Sequence, residues 1–152
     1  MTGPRSASDP DAIAEAVLPL DGPYHPDQLA RAADVITALA RRLAHATLPH
    51  NTAAALPTPA ALDAVLKYLE PGMTSLPQAL RQLAGHLRRG ADDQSLRADE
   101  DTDPRLTAPA VALLAAEHLA AAAGHGSELA RALDQAHNCT ARLYADRRRP
   151  AP

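Results

Sequence analysis

The sequence predicts an all-α protein, a helical bundle of four main helices plus one or two short ones. Alanine supplies 36 of the 152 residues and leucine 22, against four valines, two isoleucines, three tyrosines and no phenylalanine or tryptophan. Strand formers are scarce and the best helix formers dominate. Apolar residues recur at spacings of three and four, the period of a one-sided helix. Fourteen prolines punctuate these stretches and mark their ends.

Residues 1–9 are polar and proline-rich and read as a disordered N-terminal segment. Asp9 caps a short helix that has Pro10 in its first position and stops before Pro19. The Gly22–Pro23 pair opens a loop to Pro26. Residues 26–47 then place Leu29, Ala33, Ile36, Ala40 and Leu43 on one face, with Arg31, Asp34, Arg41 and Arg42 opposite. Pro49 ends that helix. Thr58 caps another beginning at Pro59, with Leu62, Val65, Leu66 and Leu69 as its apolar stripe, and Pro71–Gly72 is expected to stop it. Ser75 and Gln78 match a capping box for a helix carrying Leu76, Leu80, Leu83 and Leu87, which closes at Gly90.

Residues 91–106 form an acidic connector, expected to be disordered. Thr107 caps a helix over residues 107–123 that is apolar almost all the way round, interrupted only by Glu117 and His118. A helix without a polar face is expected to be enclosed, so it is assigned the centre of the bundle. Gly124–His125–Gly126 is expected to interrupt it before a last helix from Ser127, which buries Leu129, Ala132, Leu133, Ala136 and Leu143 beside Cys139. The sequence thus reads as one helical-bundle domain over 10–146, followed by a disordered basic, proline-containing tail over 147–152.

Composition narrows the function classes. A net charge of −3 gives no global attraction to nucleic acid or anionic membrane. The chain opens without a charged-then-apolar leader, and its longest apolar run is too short to span a bilayer. One cysteine excludes an internal disulfide framework and fits a reducing, cytoplasmic setting. Fourteen arginines against one lysine, with the alanine excess, point to a GC-rich bacterial source. A core built from leucine and alanine buries little area per residue, while ordering each residue's backbone costs roughly 1–2 kcal/mol. A homo-oligomer or a protein partner is therefore expected to complete the burial.

Glu117 and His118 are the candidate polar site. A carboxylate and an imidazole on an enclosed helix fit acid–base or metal chemistry. Neighbouring helical positions diverge by about 100°, however, and no His-Glu-x-x-His or Glu-x-x-His spacing is present. Asp99, Asp101 and Asp103 open like a calcium loop, but its sixth position is Pro104 and its twelfth Ala110, where glycine and a bidentate carboxylate belong. The seven histidines show no i, i+4 pair on one helix. Cys139 lies on an apolar face, where thiols are usually inert. Arg147–Arg149 is a short basic tail, and only three tyrosines are available to stack on bases.

No catalytic residue, metal ligand or cofactor is assigned. The sequence reads as a non-enzymatic interaction or regulatory protein acting through self-association or a protein partner, with Leu76, Leu80, Leu83 and Leu87 as the candidate interaction residues. The alternatives are a small helical enzyme or metal- or ligand-binding protein centred on Glu117 and His118, and a DNA-associated regulator. Membrane and nucleic-acid partners are not expected.

Overall fold

Proline opens four of the five helices and holds the second position of the fifth, where its missing N–H would have no intrahelical partner anyway. These helices are α1 (Pro10–Val17), α2 (Pro26–Ala46), α3 (Pro49–Ala55), α4 (Pro59–Gly90) and α5 (Ala108–Thr140). They are seen in a computed structural model that describes residues 9–99 and 106–143, and among those residues there is no strand. The chain divides into two compact units, Met1–Pro57 and Thr58–Pro152.

The first unit holds α1 to α3. The Asp9 carboxylate accepts from the Asp11 N–H at the start of α1, and Gly22 supplies the left-handed backbone (φ 72°) of the turn that follows. The Gln28 side chain accepts from the His25 N–H and caps α2. At the far end of α2, the Asn51 side chain donates to the His45 carbonyl, which also accepts from the Leu48 N–H. Of the stripe expected on α2 only Leu43 is half-buried; Leu29, Ala33, Ile36 and Ala40 are exposed, and the half-buried side runs through Ala32, Val35 and Ala38 instead. No residue of α1, α2 or α3 is buried.

The second unit is a pair of long helices. Pro71–Gly72 does not stop the chain, and α4 runs through it for 32 residues. Gly124–His125–Gly126 is not a break either, and α5 is 33 residues long. The Thr58 and Thr107 hydroxyls cap the two helices as expected, accepting from the Ala61 and Ala110 N–H groups. An interior proline costs a helix about 3 kcal/mol and a glycine about 1 kcal/mol. Helices in proteins owe most of their stability to packing along one face, and here that face is long enough to carry both costs.

The packed face of α4 reads Pro59, Asp63, Leu66, Glu70, Met73, Pro77, Leu80, Ala84, Leu87 and on to Ala91, all buried or half-buried. Its steps alternate between four and three without a fault, the 3.5-residue period of a left-handed coiled coil. Helix α5 answers with Ala112, Ala116, Leu119, Ala123, Gly126, Ala130, Leu133, His137 and Thr140, again in steps of three and four from Ala116 onward. The helices are antiparallel. Asp63 near the start of α4 meets Thr140 at the end of α5, and Pro77 further along meets Gly126 further back. That register sets Met73 across from Ala130, Leu80 from Ala123 and Leu87 from Ala116, with Leu119 across from Ala84. From Met73 to Leu87 large residues face small ones, which suits close packing of two alanine-rich helices; nearer the open end Leu66 lies across from His137 and Glu70 from Leu133.

Full burial on α5 falls on alanine alone, with Leu119 and Leu133 half-buried. The buried residues of α5 are Ala112, Ala116, Ala123 and Ala130, while Leu113 and Leu114 stay 45% and 43% exposed. Residues 107–123 form the cap and first half of α5 and pack against α4, as in a helical bundle. An alanine seam draws the helices together so closely that the neighbouring leucines are left outside it.

Candidate functional site

The heptad register divides the surface of the hairpin into two flanks. On one, Arg81 donates through Nη2 to the Ser127 hydroxyl at 2.8 Å, tying the helices together across the seam. A shallow groove of about 250 Å³ lies beside it, lined by Glu70, Thr74, Ser127, Arg131 and Asp134. Thr74 hydrogen-bonds back to the Glu70 carboxylate. This flank is polar and carries both signs of charge.

The opposite flank is apolar. Leu62, Leu69, Leu76 and Leu83 repeat every seven residues along α4, one step before the packed positions Asp63, Glu70, Pro77 and Ala84. Val65, Gly72 and Ala79 lie between them on the same side. The corresponding positions of α5 are Ala115, Ala122, Leu129, Ala136 and Leu143. Leu83 is 53% exposed, Leu129 50% and Leu76 37%. From Leu62 to Leu83 this side of α4 is a second, uncharged heptad seam with no described helix of its own unit upon it.

The leucines expected to act together therefore separate. Leu80 and Leu87 belong to the seam against α5 and are half-buried, whereas Leu76 and Leu83 belong to the free seam and are exposed. Sequence spacing alone did not show this, because Leu76, Leu80, Leu83 and Leu87 fit one broad stripe. The seven-residue repeat Leu62, Leu69, Leu76, Leu83 was the missed signal, hidden by the expected stop at Pro71–Gly72.

Glu117 and His118 are both exposed. Glu117 sits on the polar side of α5, one heptad behind Gly124 and two behind Arg131, and His118 sits on the side of Leu129. The structure does not bring them together. It gathers a different polar group that sequence reasoning did not anticipate. Asp63 Oδ1 lies 2.9 Å from His137 Nδ1 and 2.8 Å from the Thr140 hydroxyl, which donates to it. Asp63 and His137 are each about one-quarter exposed, at 25% and 28%. The three residues close the end of the hairpin remote from the acidic connector. One carboxylate on α4 holds two side chains of α5, and the group reads as a clamp across the seam. Among the described residues, no three histidine, cysteine or acidic side chains converge as a metal site would require.

Cys139 is exposed on the apolar side of α5. Asp101, Asp103 and the whole tail 147–152 with Arg147–Arg149 lie outside the described residues, as does the segment 1–8. Among the described residues, no helix is long and apolar enough to cross a membrane. Compared with protein-family models, curated proteins and solved structures, the chain matches none of them.

Proposed function

We infer that this chain is a non-enzymatic interaction protein, regulatory or scaffolding, whose working part is the α4–α5 hairpin. It acts through self-association or through a protein partner, with the apolar flank as the surface of contact. The observation that carries this reading is the Leu62–Leu69–Leu76–Leu83 repeat, exposed at Leu62, Leu76 and Leu83 and half-buried at Leu69, on a hairpin whose other flank is charged. Contiguous exposed apolar surface rimmed by polar residues marks interaction sites, and a heptad seam is the shape that accepts another helix.

Photo-crosslinking in the producing cell tests the reading. A photoreactive residue at position 76 or 83 should give discrete protein adducts, and the same residue at the exposed positions 68 or 82, off the seam, should not. Equal labelling from all four positions, or no adduct from 76 and 83, contradicts it. The reading centred on Glu117 and His118 has no supporting geometry, since the two side chains are exposed on different sides of α5.

A further inference from the structure

We propose that the occupant of the free seam is a second copy of this chain, packed antiparallel about a two-fold axis that crosses α4 near Thr74. This rests on the interaction reading above and names the partner. The order of residues along the seam supports it: Leu62, Val65, Leu69, Gly72, Leu76, Ala79, Leu83, His86. Laid against itself in reverse, the row sets Leu76 on the partner's Gly72, Leu69 on the partner's Ala79 and Leu83 on the partner's Val65. Leu62 then meets the partner's His86. Every layer pairs a leucine with a different residue, and the two central ones pair it with glycine or alanine.

The α4–α5 seam follows the same rule from Met73 to Leu87, with Leu80 across from Ala123 and Pro77 against Gly126. A two-fold contact requires such self-complementarity, because each residue meets its counterpart in reverse order. A parallel pairing would instead set leucine on leucine and Gly72 on Gly72, leaving a void at its centre.

The area is sufficient. From Leu62 to His86 the seam is about 37 Å long at 1.5 Å per residue. The α4 row and the α5 positions beside it on the same flank, Ala115, Ala122, Leu129 and Ala136, together present a face two helices, or about 20 Å, wide. Together these give roughly 700 Å² per copy, close to the ~800 Å² per partner of a stable protein interface. No charged residue falls on the row, so closing it buries no unpaired ion. Gly72 has open space where a Cβ would stand within its own chain, and that space fits the partner's Leu76.

The test is sedimentation equilibrium of the full chain, the Gly72→Leu variant and the swapped variant Gly72→Leu with Leu76→Ala. The wild-type chain should sediment at twice its 15.9 kDa. Gly72→Leu should raise the dissociation constant about tenfold or more by overpacking the central layer. The swap should restore most of the loss, since by symmetry it exchanges large for small in both central layers. A dimer indifferent to Gly72→Leu overturns the proposal, as does a swap that fails to rescue. A chain monomeric at every concentration also overturns it. In that last case the denaturation midpoint of Leu83→Glu separates the two readings. An unchanged midpoint leaves the seam free for a different protein, so the interaction reading stands. A large drop means the seam is covered from within the chain, and the interaction reading falls with the dimer.

Discussion

The ring of Pro77 fills the space that a side chain at Gly126 would need: a Cβ on Gly126 would stand 2.9 Å from Pro77 Cγ. Two residues that ordinarily interrupt helices are paired in the middle of two uninterrupted ones. Alanine normally stabilises a helix by about 1 kcal/mol over glycine. At position 126 that gain is opposed by an overpacking cost of about 1–3 kcal/mol. Gly126→Ala should therefore destabilise the chain by roughly 1 kcal/mol in urea denaturation, or at best leave it level. Gly124→Ala, with nothing within 4 Å of its added Cβ, should stabilise it by up to about 1 kcal/mol. A double-mutant cycle with Pro77→Ala should show coupling between 77 and 126 and none between 77 and 124.

The carboxylate of Asp63 is shared by His137 and the Thr140 hydroxyl. Asp63→Ala leaves His137 without this partner and Thr140 with only the His137 carbonyl, and should lower stability by about 1 kcal/mol, the usual worth of a partly exposed hydrogen-bonded group. Asp63→Asn keeps one oxygen as acceptor and should lose less than half as much. If Asp63→Ala unfolds at the wild-type denaturant concentration, the clamp contributes nothing.

Leu80 and Leu83 differ by one turn in sequence and by one seam in space. Truncating half-buried Leu80 to alanine widens the gap to α5 and should cost about 2 kcal/mol, the low end for core leucines. Truncating exposed Leu83 should cost under about 1 kcal/mol when measured on the dissociated chain. Equal costs would mean that the two leucines share one environment.

After α4 ends, the Asp93 carboxylate accepts from the Ser95 N–H at 2.8 Å. This hydrogen bond, with a second from the Ser95 side chain, holds the Asp93 pKa below its ordinary value. A carboxyl lowered in the folded state adds stability above its unfolded pKa and loses it as pH falls through the folded one. The group is fully exposed, so the effect on folding is small, but its titration by NMR should fall at lower pH than that of an unbonded aspartate. Ser95→Gly should leave the backbone contribution and move the midpoint only part of the way back.

Much of this architecture was legible in the residues. The caps at Asp9, Thr58 and Thr107 act by local chemistry that depends on a few neighbouring groups, and they stand where the sequence puts them. The all-helical class followed from composition. The junctions at 71–72 and 124–126 were not legible, because proline and glycine are read as local breakers while their survival here depends on a seam of some thirty residues. Burial was misjudged for a related reason. Leucine and alanine were expected to share the core, yet the heptad register favours alanine at the fully buried positions and turns Leu113, Leu114 and Leu83 outward. Asp63 and His137 are 74 residues apart in the chain, and no local pattern joins them.

The central claim is that α4 carries two seams, one closed by α5 and one open at the surface. Methyl NMR with a soluble paramagnetic agent, on the chain diluted until it is monomeric, tests this most directly. The account predicts strong relaxation of the Leu62, Leu76 and Leu83 methyls and protection of Leu80 and Leu87. Uniform protection of all five, or protection of Leu83 with relaxation of Leu80, would contradict it.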